Sequence, residues 1–319
     1  MNKNDFKIID SHVHFLVKET ELTTIKREYV EKHGQKKWDI LQQKNAYQQE
    51  RWKMAWGFPK QEPIEDTIEE TAQKWITEMN NNGVEKMVFV TAGDTECSNE
   101  NMTKIIDLYP DRFIGYAYHG LFDRDAADKL DVAITKQGLR GYKILAPDLP
   151  GRIDDKSLYS VWEVANHYKI PVLIHFGILG GAGGVADHVN ISPMRIHDVA
   201  RVFPEVPFII PHFGCGQIKD LLQLAWVCPN IYVDTSGSNQ WIRWMPYPLT
   251  IKDLYKKYYE TIGPQRIIFG TDSSWFSRGF VKSYFDEQIR ACVELGMSNR
   301  DLKMIFHDNM AELISMVSL

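Results

Sequence analysis

Ile8-Ile9-Asp10-Ser11-His12-Val13-His14-Phe15 is where the apolar pattern of this 319-residue chain begins. Branched and aromatic residues interleaved with polar ones read as a buried β-strand. Alternation with period two predicts Asp10, His12 and His14 on one face of it. Two imidazoles at that spacing on rigid backbone can share one metal ion. The residues after this strand decide the fold. They contain no glycine-rich phosphate loop, which argues against an open, doubly wound sheet.

Further strand-like runs are predicted at 86–90, 113–117, 139–145, 172–176, 208–212, 231–234 and 266–270. Segments of helical period lie between them, for example 154–168, 192–203 and 277–295. Strands alternating with helices at this interval imply a parallel sheet built from right-handed βαβ units. With the first strand there are eight units, the number that closes a (β/α)8 TIM barrel. The expectation is a single α/β barrel domain over 1–319. A mostly helical insertion after strand one spans about 18–63, and an extra C-terminal helix spans about 300–317.

Composition narrows the function. The chain is 44% hydrophobic and 25% charged with a net charge of −5, so no basic surface for nucleic acid is indicated. Cys97, Cys215, Cys228 and Cys292 form no CxxC pair and suggest no disulfide framework. Residues 1–7 lack an apolar signal core, and the longest apolar runs are too short to cross a bilayer. The reading is a cytoplasmic protein acting on a small molecule, with neither nucleic acid nor membrane as partner.

The chemistry sits at the strand ends. His12 and His14 close strand one, His175 strand five and His212 strand six, and Asp272 lies just beyond strand eight. All five belong to the C-terminal rim, where barrel active sites are assembled. Such groups are costly to bury there unless paired or bound. Imidazoles and a carboxylate are donors that suit a divalent metal, and a site that leaves one coordination position open for water is the catalytic kind of zinc site. Asp272 is positioned to take a proton from that water, and His212 to polarise a carbonyl or act as acid or base.

The segments IIDSHVHF, GYKILAPD, IPVLIHFG, PFIIPHFGCG, NIYVDTSG and RIIFGTDSSW, with HDNMAELI near the end, together resemble the amidohydrolase superfamily. The resemblance is closest to the amidohydrolase-related branch that includes aminocarboxymuconate semialdehyde and resorcylate decarboxylases. It implies that His12, His14, His175 and Asp272 bind one divalent metal, zinc first and manganese second. It also implies that His212 is the unligated catalytic imidazole and that the protein forms a homodimer. Asp10 is read as a support for its neighbours.

Other residues carry two readings each. Lys143 near the end of strand four bridges a second metal, contacts a substrate carboxylate, or pairs with Asp148. His119 and His188 reach substrate or are structural. His33, His167, His197 and His307 read as packing or surface residues, and Cys215 as a small buried filler. The loop 177–190 is glycine-rich and lets a ligand approach the backbone. Trp241, Arg243, Trp244 and Tyr247 form a substrate wall with an anion clamp, or an apolar patch covered by the insertion or a second subunit; Trp275 and Arg278 share this ambiguity.

Three functions compete. The first is metal-dependent hydrolysis of a small ester, lactone or amide. The second is non-oxidative decarboxylation of an aromatic or unsaturated acid. Against it, Gly270-Thr271-Asp272-Ser273-Ser274-Trp275-Phe276 lacks the aromatic-proline continuation associated with those decarboxylases. The third is a non-catalytic metal-binding barrel, which predicts a damaged ligand position where the sequence has none.

Overall fold

A computed structural model of the chain describes residues 7–17, 24–60, 63–90, 98–177 and 188–318. Most of the loop 177–190, the side chain of His188, and Cys97 lie outside the described residues. Among the described residues eight strands run in chain order: β1 (Ile8–Val13), β2 (Val84–Phe89), β3 (Phe113–Gly115), β4 (Tyr142–Leu145), β5 (Val172–His175), β6 (Phe208–Ile210), β7 (Ile231–Asp234) and β8 (Ile267–Ile268). All neighbouring pairs are parallel, in runs β1-β2-β3 and β4-β5-β6-β7-β8. Two seams close the cylinder. Ala117 N–H donates to the Gly141 carbonyl and Lys143 N–H to the Ala117 carbonyl, both at 2.8 Å. On the other side His14 N–H donates to the Ser273 carbonyl at 2.8 Å, and Asp272 N–H to the His12 carbonyl at 2.9 Å. The fold is a (β/α)8 barrel.

Helices α1 (Thr24–His33) and α2 (Gln35–Ala55) follow β1, and α3 (Ile68–Asn82) leads to β2. Then come α4 (Asn99–Leu108), α5 (Ala126–Thr135), α6 (Tyr159–Tyr168), α7 (His197–Val202), α8 (Ile218–Val227), α9 (Ser238–Trp241), α10 (Ile251–Ile262) and α11 (Lys282–Glu294). The chain ends with α12 (Asn299–Lys303) and α13 (Asn309–Ser315), joined by a π-helical turn at Met304–Asp308. The C-terminal helix expected over about 300–317 is therefore interrupted by one wide turn.

Helix α3 shows how sequence makes a barrel element. Thr67 and Glu70 form a reciprocal capping box at its start, and Gly83 at φ 68° ends it. Ala72, Trp75, Ile76 and Met79 recur at helical spacing and are buried against the barrel. Trp75 packs on Phe89 of β2 at 6.2 Å between rings, so Trp75→Ala would cost about 3–5 kcal/mol. The apolar residues divide into an outer layer under the helices and a smaller group that includes Ile9, Val88, Leu173, Ile209 and Ile268 from five different strands. That second group is the barrel interior. Helix α13 covers one end of it through Met310 and Leu313.

The observed strands are shorter than the sequence implies at their C-terminal ends. Pro211 has no N–H to continue the ladder, and the chain after it turns through positive φ at His212, Phe213, Gly214, Cys215 and Gly216. The first strand also departs from simple alternation. Its pairing with β2 shifts register between Asp10 and Val13. Ile8, Val13 and Phe15 then share the outer layer while Ile9 faces the interior. The bulge keeps His12 and His14 in phase with each other but puts Asp10 out of phase with them, contrary to the single face predicted.

Candidate active site

Asp272 is the centre of the polar cluster at the barrel rim. Its Oδ1 lies 3.2 Å from His14 Nε2 and 3.8 Å from His12 Nε2. Among the described residues, ligand atoms of His12, His212 and Asp272 all fall within 4.8 Å of one another. The rings of His12 and His14 are 5.2 Å apart, those of His12 and His212 5.0 Å, and those of His175 and His212 5.0 Å. The five residues singled out from the sequence are thus brought together, with His14 joined through Asp272 and His175 through His212.

Backbone at the site is strained and over-determined. Asp272 has φ 59° and His212 φ 60°, a region that costs a non-glycine residue about 1–2 kcal/mol. The His212 turn is held by Phe213, buried against Tyr255 and Tyr258, whose hydroxyl donates to the Phe213 carbonyl at 3.0 Å. Gly237 at φ 60° lets the chain pass close by. A Cβ there would meet Asp272 Oδ2 at 2.9 Å and His212 Nδ1 at 3.3 Å.

Residues that sequence reasoning missed set the imidazole tautomers. Asp234 Oδ2 accepts from His12 Nδ1 at 2.6 Å, and the Ser236 carbonyl accepts from His212 Nδ1 at 2.7 Å. The Ser236 hydroxyl lies between both Nδ1 atoms, at 3.1 and 3.0 Å. With Nδ1 carrying the proton, each ring keeps its lone pair on Nε2. Asp234 closes β7, so the same strand-end rule that found the histidines points to it. Gly237 gives no comparable signal. Asp10, as read from the sequence, is a support: it accepts from the backbone N–H of His12 at 3.3 Å and of Thr271 at 3.0 Å, and from the Thr271 hydroxyl.

Electrostatics follow from burial and these partners. Burial pushes His12 and His175 well below the usual histidine range, with Lys143 and His212 adding to the effect. Burial lifts Asp10 to about 7 and Asp234 to about 6, the latter despite the pull of His212. Burial would also raise Asp272, but the His14 hydrogen bond and the His212 and His12 imidazoles outweigh it and hold the carboxyl well below its ordinary range.

These residues fit a divalent cation. Among the described residues the His175 Nε2 is buried with no hydrogen-bond partner, a costly state that a bound ion relieves. Ligand atoms about 2.0–2.1 Å from a tetrahedral zinc sit roughly 3.3 Å apart, and the 3.2 Å and 3.8 Å separations around Asp272 bracket that value. Imidazole nitrogens with one carboxylate suit zinc by donor type.

Beside the cluster is a cavity of about 250 Å³. His175, His212, Asp272 and Cys215 line its inner side, Trp241 and Trp244 one flank, and Gln49, Trp52 and Trp56 of the insertion the other. Both readings of the 241–247 segment therefore meet: it is a pocket wall, and the insertion packs over it, with Trp56 and Trp244 rings 5.5 Å apart. Arg243 stacks on Trp56 at 5.4 Å and is not among the residues lining the cavity. Lys143 is buried inside the barrel, and His119 stacks on Tyr142 at 4.7 Å with Nε2 3.0 Å from the Ala126 carbonyl; neither lines the cavity. His33 and His167 lie against tyrosine rings, and His197 and His307 pair with adjacent aspartates.

A search of curated proteins returns no match to this sequence. Solved structures do match in fold. A probable 2-pyrone-4,6-dicarboxylic acid hydrolase from Acinetobacter baumannii is 16% identical, with 97% of this chain and 100% of that chain covered and a TM-score of 0.61. A 5-carboxyvanillate decarboxylase from Novosphingobium aromaticivorans, complexed with manganese and a nitrobenzoic acid, is 14% identical over 99% and 97% at 0.60. An amidohydrolase from Burkholderia multivorans with bound zinc is 11% identical over 97% and 99% at 0.60. A family model described as amidohydrolase matches residues 9–314, nearly the whole chain. With the barrel closed and its histidines and aspartate gathered on one rim, the protein belongs to the amidohydrolase family.

Proposed function

We propose that the protein is a metal-dependent hydrolase that attacks a small ester, lactone or amide with water at the Asp272 cluster. The supporting observation is geometric: Asp272 lines the cavity with its Oδ1 3.2 Å from His14 Nε2 and 3.8 Å from His12 Nε2, which puts a carboxylate proton acceptor within reach of water held at the cluster. His12, His14, His175 and Asp272 would hold one divalent ion, zinc first and manganese second. Such an ion supplies Lewis-acid polarisation and a water of lowered pKa.

The chain's own residues do the rest. Asp234 and Asp10 hold His12 in position from behind. Asp272 takes the proton of the attacking water on a carboxylate oxygen and returns it to the leaving oxygen or nitrogen. His212, with its Nδ1 proton donated to the Ser236 carbonyl, presents the Nε2 lone pair to accept a hydrogen bond from the attacking water. Trp52, Trp56, Trp241 and Trp244 form the apolar wall against which the rest of the substrate is seated.

Decarboxylation is the second reading, favoured by the same aromatic wall, which suits an unsaturated acid. One screen separates the two. Purified protein loaded with zinc or manganese is offered phenyl esters, lactones and anilides in one set and hydroxybenzoates in another. Hydrolysis that disappears in Asp272→Asn supports the proposal; carbon dioxide release without hydrolysis replaces it with the second reading.

A further inference from the structure

The insertion between β1 and α3 supplies more than cover. Helix α2 is 21 residues long and buries none of them, so nothing in the barrel core requires it. Its C-terminal end is different. Trp52, Trp56 and Phe58 pack on one another, with ring separations of 4.8 Å for Trp52–Trp56 and 5.2 Å for Trp52–Phe58. Phe58 rests on Trp275 at 5.7 Å, Trp56 on Trp244 at 5.5 Å. The indoles of Trp52 and Trp56 thereby complete a cavity whose other side is the reactive cluster.

We infer that Trp52 and Trp56 are specificity-determining residues that select a substrate with one flat, π-rich ring, seated against their indoles with its scissile group toward Asp272. Volume and chemistry both point there. A dry apolar cavity of about 150 Å³ takes benzene, so about 250 Å³ admits one ring with small substituents. Indole faces favour a flat ring in offset or edge contact over a puckered ring of equal size. Four of the residues lining the cavity are tryptophans, whereas of the two cations that the sequence suggests for an anion contact neither lines it: Arg243 stacks on Trp56, and Lys143 is buried where its charge acts on His12 and His175. Ring shape, rather than a side-chain salt bridge from these two residues, then sets the selectivity. This inference deepens the function proposed above and rests on it for the position of the scissile group.

The test is equilibrium binding by calorimetry, with benzoate against cyclohexanecarboxylate as probes, on the zinc-loaded and the metal-free protein. The wild-type protein is expected to bind benzoate about tenfold more tightly than its saturated counterpart. Trp56→Ala is expected to bring that ratio to about one, and Trp56→Phe to restore most of it. Equal binding of the two probes, absence of saturable binding by either, or an unchanged ratio in Trp56→Ala overturns the inference. Phenyl acetate and cyclohexyl acetate turnover separates this outcome from the catalytic reading. Hydrolysis of both esters at equal rates sinks the ring selection and leaves the hydrolase standing. Ring-selective binding with no hydrolysis of any ester does the reverse.

Discussion

Replacing Arg278 by alanine should cripple the site from outside it. Arg278 Nη1 donates to the Asp272 carbonyl at 2.7 Å, holding that residue in its left-handed conformation. The guanidinium also lies over three rings, Trp275 at 4.9 Å, Phe58 at 5.2 Å and Tyr284 at 5.5 Å. A hydrogen bond from a charged donor contributes about 1.5–3 kcal/mol, and each half-exposed cation–π contact about 0.5–1 kcal/mol. These contributions share one side chain and do not add fully. A combined loss of about 3 kcal/mol is a reasonable centre, equivalent to roughly 100-fold in kcat/KM if it falls on the geometry of Asp272. The assay is ester hydrolysis together with zinc affinity by chelator competition, and urea unfolding measured on the same samples. Arg278→Lys keeps the charge but not the planar stack, and should fall between wild type and alanine. If Arg278→Ala retains both zinc affinity and turnover, or if Arg278→Lys is no better than alanine, the proposed link between this cage and Asp272 is wrong.

Asp234→Asn removes the carboxylate that orients His12 and should weaken zinc affinity about 10- to 100-fold, measured against a chelator. Gly237→Ala introduces a Cβ 2.9 Å from Asp272 Oδ2 at φ 60°. It should cost about 1–2 kcal/mol in urea unfolding and lower kcat/KM about tenfold or more. Burial pushes the Cys215 thiol up to about 12, so little of it is thiolate at pH 8. Iodoacetamide should leave Cys215 unlabelled at that pH in the folded protein, as mass spectrometry would show.

Much of the site was legible because barrel chemistry collects at strand ends. His12, His14, His175, His212 and Asp272 were found by asking which polar residues close a strand, and the folded chain gathers them. Asp234 obeys the same rule. The bulge that separates Asp10 from His12 was not readable, since period-two alternation assumes an unbroken ladder. Nor was the role of Trp52 and Trp56: their place on the cavity wall is a long-range contact with the segment after β7, for which local pattern carries no signal. The π-turn at Met304–Asp308 lies inside a segment whose apolar period looked continuous. Among the described residues no helix is long and apolar enough to cross a membrane.

The central claim is that hydrolysis occurs at a single ion held by this cluster. Zinc added stepwise to metal-free protein, with hydrolysis of phenyl acetate followed at each step, tests it directly. Activity should be absent at the start, rise in proportion to added zinc and level off at one equivalent, with no rise in Asp272→Asn. Hydrolysis that is already complete in the metal-free protein, or that rises equally in Asp272→Asn, would contradict the account.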